Sequence, residues 1–495
     1  MSEARFHLLE ATVADIHAAY LEKTTTCREL TELYLNRIER YDRNGPLLNS
    51  ILTVYHEALE EADRLDAALA DGGLVGPLHG IPVILKDQID AVGMPTTLGS
   101  VMFRDYYPDQ DATVVRRLKD AGALVLAKAT LGELAAGDTH GSLFGSTRNP
   151  YDLVRTPGGS SGGPAVAMAA NLGTLAIGQE GFASIRRPAA WCDVVGMRPS
   201  GGLVPRTGSY DGWPGTAGSL GPITRTVADA ARLLDVLVGP DPEDPLTTSP
   251  AVPAVSGFAA GLRADGLQGV RVGVLRRPMG VGSDPDSTDF RNVTAVFDRA
   301  VGELADAGAV VVDDVVIPDL DELLAHRASP DRAVSLMTWL GRSRTPPFRS
   351  HEELVAHPAY AEATSRRATA AQSATPAEHR AARTELHARV LAVMDDLGLD
   401  VLVHKSVEHT ATLIEDGLTP PYVGHRGATH LNTFLEDVPA ISVPAGYAVN
   451  QMPVGITFLG RPYADAAVLR YAYAYEQATH HRQVPWSTPA LPGEF

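Results

Sequence analysis

Two cysteines in 495 residues leave almost nothing to cross-link. Cys27 and Cys192 sit in such different surroundings that neither a disulfide framework nor a thiolate metal site is expected. Basic residues are short as well: 42 Lys and Arg against 60 Asp and Glu give a formal charge of -18. Nucleic acid and anionic membrane both need a basic face, so neither is expected as the main partner, and the excess reads as a solvated acidic surface. Long apolar runs are missing too. No stretch reaches the roughly 18 apolar residues that span a bilayer. The opening "MSEARFHLLEATVADIHAAYLEKT" carries charges throughout and has no apolar h-region, which reads as no secretory signal and a cytoplasmic location. What is there, 44% hydrophobic and 21% charged residues, is the composition of a globular protein large enough for a sizeable core.

Residues 10–70 read as helices, with apolar positions at helical spacing and Thr26 as an N-cap. From Gly76 the texture changes. Short apolar runs ("GIPVIL", "GALVLAKA", "GTLAIG", "VRVGVLR", "AVVVDDV", "PAISVPAGY", "PVGITFLG") alternate with helical segments such as "DATVVRRLKDAGA" and "VADAARLLDVLVG". Continuous apolar strands between helices predict an α/β fold: a mixed, mostly buried central sheet with helices on both faces. Residues 240–262, rich in Pro, Ser and acidic residues, read as a surface excursion. The mostly helical stretch 318–396 is either a cap over a cleft or a set of solvated helices.

The chemistry concentrates in "RTPGGSSGGPAVAMAANLGTLAIGQEGFASIRRPAA", residues 155–190. "GGSSG" fits the G-x-S-x-G nucleophile elbow, which requires a buried strand leading into the serine. The residues before Ser160 are polar and include Pro150 and Pro157, so that context fails. A phosphate loop fails too, because no Gly-Lys-Ser/Thr follows. Ser184, in "GQEGFASIRRPAA", is the second candidate nucleophile. Between the two serines, "GPAVAMAANLGTLAIG" fits a helix and a short buried strand, which would return the chain to the same end of the sheet. Gly181 and Ala183 let the backbone approach a substrate, and successive amide N–H groups there suit an oxyanion. A base is needed, and "HGIPVILKDQIDAVGMPTT" places Lys86 at the end of an apolar run, where burial disfavours the ammonium. Asp87 and Asp90, just after it, give the lysine a site-like setting. A snorkelling surface lysine is the plainer alternative.

Taken together these stretches resemble the amidase signature family of Ser-cisSer-Lys hydrolases over about residues 10–490. The resemblance rests on "GPLHGIPVILKDQIDAVGMPTTLGS", "DATVVRRLKDAGALVLAKATLGELA", "FGSTRNPYDLVRTPGGSSGGPAVAMAA", "SIRRPAAWCDVVGMRPSGGLVPRTG" and "DVPAISVPAGYAVNQMPVGITFLGRPYADAAVLRYAYAYEQAT". It implies Lys86 as base, Ser160, after a cis Gly159–Ser160 bond, as bridging serine, and Ser184 as nucleophile. It implies oxyanion donors from the backbone of Gly181, Phe182, Ala183 and Ser184, and support from Ser161 and Arg186. It also implies one structural domain in four stretches: an N-terminal helical segment (1–70), the core with the catalytic residues (71–240), a variable, largely helical substrate side (241–400) and the C-terminal part of the core (401–495). The 16 histidines show no metal-ligand spacing such as H-E-x-x-H, so no metal and no organic cofactor are expected. The expected partner is a small-molecule amide or ester, and the family commonly forms homodimers.

Two departures stand out. The commonest family loop reads Gly-Thr-Asp-Thr-Gly-Gly-Ser where this chain has "GQEGFAS". Phe182 and Ala183 in place of glycine either strain or reshape the oxyanion loop, or Phe182 lines and narrows the acyl pocket or stacks on an aromatic substrate; a catalytically weakened enzyme is the alternative. The segment "DVLVHKSVEHTA" brings His404, Lys405 and His409 where the family usually has a Thr-Pro segment; these read as a pocket wall of altered polarity or as structural residues. The leading functional expectation is a serine amidohydrolase. The alternatives are an esterase or acyltransferase, the amidase component of a tRNA-dependent amidotransferase, and a repurposed or non-catalytic binding protein.

Overall fold

The computed structural model describes residues 6–210, 218–327, 332–365, 374–420, 422–423, 426–429, 431 and 435–494. Its strands are β1 (Ile51–Val54), β2 (Pro82–Lys86), β3 (Leu124–Ala129), the short pair β4 (His140–Gly141) and β5 (Gly145–Ser146), β6 (Leu175–Glu180), β7 (Val195–Arg198), β8 (Ser219–Thr224), β9 (Arg271–Val274), β10 (Val310–Val312), β11 (Val401–Lys405), β12 (Ala440–Tyr447) and β13 (Pro453–Leu459). Eleven of them form one sheet in the order β1-β3-β2-β6-β8-β7-β12-β13-β11-β9-β10. Pairings are parallel at β3-β2-β6 and β11-β9-β10 and antiparallel elsewhere, so the sheet is mixed.

The apolar runs without alternation at β2, β3 and β6 are buried at every residue, as a sheet covered on both faces requires. Strand β11 shows the two faces directly. Val401 and Val403 belong to one apolar cluster while Leu402, between them, belongs to another, because successive side chains point to opposite sides. The first cluster takes in the helices Val13–Glu22, Cys27–Arg37, Val227–Leu237, Thr288–Asp306 and Asp465–Thr479; the second takes in the helix Pro376–Asp396. Thr26 does cap its helix, in a capping box with Glu29.

The stretch read as helical throughout contains an exception. Ile51–Val54 is an edge strand antiparallel to β3. Its four residues are ordered by pairing with a strand some 75 positions away in the chain, which local periodicity does not report. The helices Arg332–Leu340, His351–Val355 and Tyr360–Ser365 are not free-standing solvated elements. Leu336, Trp339, Leu340 and Leu354 join Leu98, Phe103, Tyr106, Leu131 and Tyr210 in a third apolar cluster. They therefore roof the loops that leave β2 and β3. Among the described residues, no helix is long and apolar enough to cross a membrane.

Candidate active site

Parallel pairing brings the C-terminal ends of β2, β3 and β6 to one edge of the sheet, where α/β sheets characteristically place ligands. Lys86 is the last residue of β2, and Glu180 the last of β6, just before the loop 181–184. The helix Gly162–Ala169, wholly buried, links the Ser160 turn to β6. The two serine loops meet as their spacing implied: the Ser161 N–H donates to the Ser184 carbonyl at 3.1 Å. No strand runs into Ser160, and the Gly159–Ser160 peptide bond is cis.

Lys86 is fully buried, with Nζ 2.7 Å from Ser160 Oγ and 3.2 Å from the Gln179 carbonyl. Among the described residues no carboxylate lies within ion-pair distance of it. Burial drives its pKa well below the ordinary lysine range; the charge of Glu180 opposes this without overcoming it. Glu180 is itself engaged by Arg186 Nε at 2.8 Å and by the N–H groups of Ile185 and Arg186 at 2.9 Å. Arg186 also donates to the Phe182 carbonyl at 3.2 Å, so the loop 181–184 is held from both ends. Ser161 Oγ exchanges hydrogen bonds with the Gln179 backbone, N–H and carbonyl both at 3.2 Å.

Neither Phe182 nor Ala183 has a positive φ, so a side chain at either place meets no left-handed backbone. Ala183 is buried and Phe182 is partly exposed beside the half-buried Ser184. Among the described residues, the N–H groups of Ala183 and Ser184 have no acceptor.

Several site residues escaped the sequence reading. Arg187, fully buried, donates to the Gly159 carbonyl from Nε (3.2 Å) and Nη2 (2.9 Å), to the Gly137 carbonyl at 3.3 Å, and pairs with Asp138 at 2.7 Å. Its guanidinium also lies 5.3 Å from the Trp191 ring centre. The signal was present in "SIRRPAA": two adjacent arginines opening an apolar helix each need buried partners. Thr139 closes the turn by accepting from Gly162 N–H (3.0 Å) and donating to the Gly158 carbonyl (2.8 Å). Gly158, with φ +81° and Trp191 2.8 Å from where a Cβ would stand, tolerates no side chain.

Other expectations are redirected. Asp87 and Asp90 turn away from Lys86, towards Lys128 and Trp339. His404, Lys405 and His409 are buried and form no bond to Lys86, Ser160 or Ser184. His404 Nδ1 donates to the Lys405 carbonyl at 2.8 Å, and burial, helped by Arg186, pushes its pKa down to about 3. The Lys405 ammonium lies 3.7 Å from the Phe290 ring centre and donates to Thr294 Oγ1 at 3.0 Å. His409 bridges Asp289 (3.1 Å) and the Asp284 N–H (3.0 Å). The Lys405 and His409 contacts fasten β11 and the segment after it to the helix Thr288–Asp306 and its approach. Among the described residues, no group of three His, Cys, Asp or Glu side chains is arranged to hold a metal ion.

Known proteins match this framework along nearly its whole length. Residues 29–469 fit the family model described as Amidase. The A-type subunit of the glutamyl-tRNA(Gln) amidotransferase of Moorella thermoacetica is 35% identical over 94% of this chain and 96% of its own length. The structure of the native peptide amidase from Stenotrophomonas maltophilia superposes with a TM-score of 0.82 at 34% identity, covering 96% of this chain and 98% of that one. The A-type subunit of the glutamyl-tRNA(Gln) amidotransferase from Thermotoga maritima superposes with a TM-score of 0.74 at 28% identity, covering 97% and 98%.

Proposed function

This chain belongs to the amidase family, and on that premise we propose that it cleaves carboxylic amide C–N bonds through an acyl-enzyme on Ser184. The observation that carries the reading is a fully buried lysine, with no carboxylate among the described residues paired to it, 2.7 Å from a serine whose neighbour is bonded to the Ser184 backbone. With the amine neutral, its lone pair takes up the Ser160 O–H. Ser160 in turn takes the proton of Ser184 Oγ as that oxygen attacks the amide carbonyl. The oxyanion of the tetrahedral adduct enters the N–H groups of the 181–184 loop, those of Ala183 and Ser184 having no acceptor among the described residues. The proton then returns through Ser160 to the leaving nitrogen, and water releases the acyl group by the same relay.

A second reading shares this chemistry and differs in its setting. The curated relatives carry the name of one component of an amidotransferase. By sequence they favour a chain that works within an assembly acting on glutamyl-tRNA(Gln) over the free-standing amidohydrolase that the sequence reading places first. The peptide amidase superposes more closely, at 0.82 against 0.74, and supports independent action. The charge of -18 argues that any contact with tRNA would come through partner subunits.

Assay of the isolated chain against peptide amides, aryl and aliphatic primary amides, esters, and the side-chain amides of free amino acids separates the two. Turnover of peptide or simple amides by the chain alone is the expected result for the first reading. Activity confined to free amino-acid amides, and appearing only with added partner subunits, would establish the second. Arg187 supplies a further expectation. In Arg187→Met the Gly159 carbonyl loses both its donors and Asp138 its cation; charge-assisted bonds of this kind are each worth about 1.5–3 kcal/mol, so turnover should fall roughly 10- to 100-fold. Arg187→Lys should recover only part of it, since an ammonium lacks the fork.

A further inference from the structure

Lys86 must stay uncharged to act as a base, yet two buried carboxylates, Asp87 and Asp90, follow it directly. Unbalanced negative charge there would draw a proton onto the nearest buried amine. The fold sends that charge elsewhere. On the neighbouring parallel strand Lys128 stands opposite Leu85, and Ala129 opposite Lys86. Since side chains alternate, Lys128 shares a face with Leu85 and Asp87, and Lys86 points to the other. Lys128 Nζ, fully buried, lies 3.6 Å from Asp87 Oδ1, which has no hydrogen bond among the described residues. It also donates to the Pro95 carbonyl (2.8 Å) and Thr96 Oγ1 (2.7 Å). The second Asp87 oxygen accepts from Thr97 N–H (2.9 Å) and Oγ1 (2.7 Å). Asp90 accepts the Trp339 indole N–H at 3.0 Å, from the helix that roofs it. Lys86 is left facing Ser160, the Gln179 carbonyl and, more distantly, Glu180, whose charge is taken by Arg186 with Arg198 beyond it.

We propose that Lys128 is a positioning residue of the reaction: its ammonium holds the charge of Asp87 and Asp90 on the face of the sheet turned away from Lys86, and so keeps the Lys86 amine free to take a proton. This rests on the amidase reading above. It gives a reason for a second fully buried lysine, one strand away from the first, that takes no part in the proton relay. Burial holds the Lys128 pKa below the ordinary lysine range although Asp87 and Asp90 pull it up, and burial pushes the Asp90 carboxyl up to about 6, so Asp87 is the charge that matters most near neutral pH.

The test follows the rate at which a fluorophosphonate probe modifies Ser184, as a function of pH, a readout that needs no knowledge of the natural substrate. In wild type the rate should rise along an acid limb as Lys86 loses its proton. Lys128→Met should move that limb up by about one pH unit, the order of a single-charge effect between buried groups on neighbouring strands. Asp87→Asn should move it down, and the double variant should return it to the wild-type position. Should Lys128→Met fail to fold, Asp87→Asn and the double variant still decide the sign. Slower labelling at every pH with the limb unmoved would reduce Lys128 to a structural role and overturn the proposal. A wild-type Ser184 that the probe never labels would instead bring down the amidase reading itself.

Discussion

Ser184→Ala is expected to lower amide turnover by about 10⁴-fold or more while leaving the fold intact, since removing the nucleophile of a serine hydrolase typically costs on this scale. The two halves of the expectation have separate grounds. Ser184 is half-buried at the end of a loop whose shape is fixed by other groups: Glu180 and Arg186 on one side, the Ser161 N–H on the other. Deleting one hydroxyl leaves all of those bonds in place, so thermal stability should change by no more than about 1 kcal/mol. Chemistry, by contrast, has no substitute. Ser160 Oγ is fully buried and already engaged with Lys86, and Ser161 Oγ is turned back onto the Gln179 backbone. Neither is placed to attack a carbonyl in the open part of the site. The measurement is turnover of any active member of the amide panel, alongside fluorophosphonate labelling and thermal melting of both proteins. Retained turnover in a well-folded Ser184→Ala would sink the assignment of the nucleophile. Equal binding of substrate with no turnover in either protein would point to a repurposed pocket.

Why Ser184 is legible in the sequence and Arg187 is not comes down to what each signal needs. The strand-ending lysine and the two serine loops lie in short apolar or small-residue contexts. These fix local conformation by themselves, and the order helix-then-strand between residues 162 and 180 forces the loops to one end of the sheet. The partners of Arg187 and Lys128, in contrast, depend on which strands become neighbours. Lys128 meets Asp87 only because β3 pairs with β2 in a particular register, and Ile51–Val54 becomes a strand only because β3 presents an edge. The two aspartates after Lys86 stand out in the sequence but serve a different lysine, since alternation across the strand decides the face and the sequence distance does not. The same holds for His404, Lys405 and His409. Their polarity announces something other than the usual pocket wall, and only the packing of the helix Thr288–Asp306 against β11 shows that Lys405 meets Phe290 and Thr294 and that His409 meets Asp289, while His404 turns onto the Lys405 carbonyl.

Lys86→Met should do two opposite things: cut acylation of Ser184 by about 10²–10⁴-fold, the usual worth of a positioned general base, and make the protein more stable at neutral pH. The second effect follows from the direction of the lysine's shift. An unfolded chain holds its lysine protonated up to about pH 10.4, whereas burial drives the folded-state value well below that. Between the two, the unfolded state binds a proton that the folded state has given up, so wild-type stability falls as the pH drops from about 10.4 towards the folded-state value. Methionine carries no such penalty and fills most of the same volume. Gln179 does not lose its only partner, because Ser161 Oγ also reaches its carbonyl. The melting temperature of Lys86→Met should therefore exceed that of wild type at pH 7, with the gap closing as the pH approaches about 10. Wild-type acylation should rise with pH through the folded-state value and level off below the ordinary lysine range, while the variant keeps only a flat residue of it. A gap that stays constant or reverses would mean that Lys86 is charged inside the folded protein. A charged Lys86 has no lone pair for the Ser160 proton, and the relay would then need another base. Activity and stability thus pull against each other at one atom, Lys86 Nζ, and the sign of that opposition is measurable without knowing the substrate.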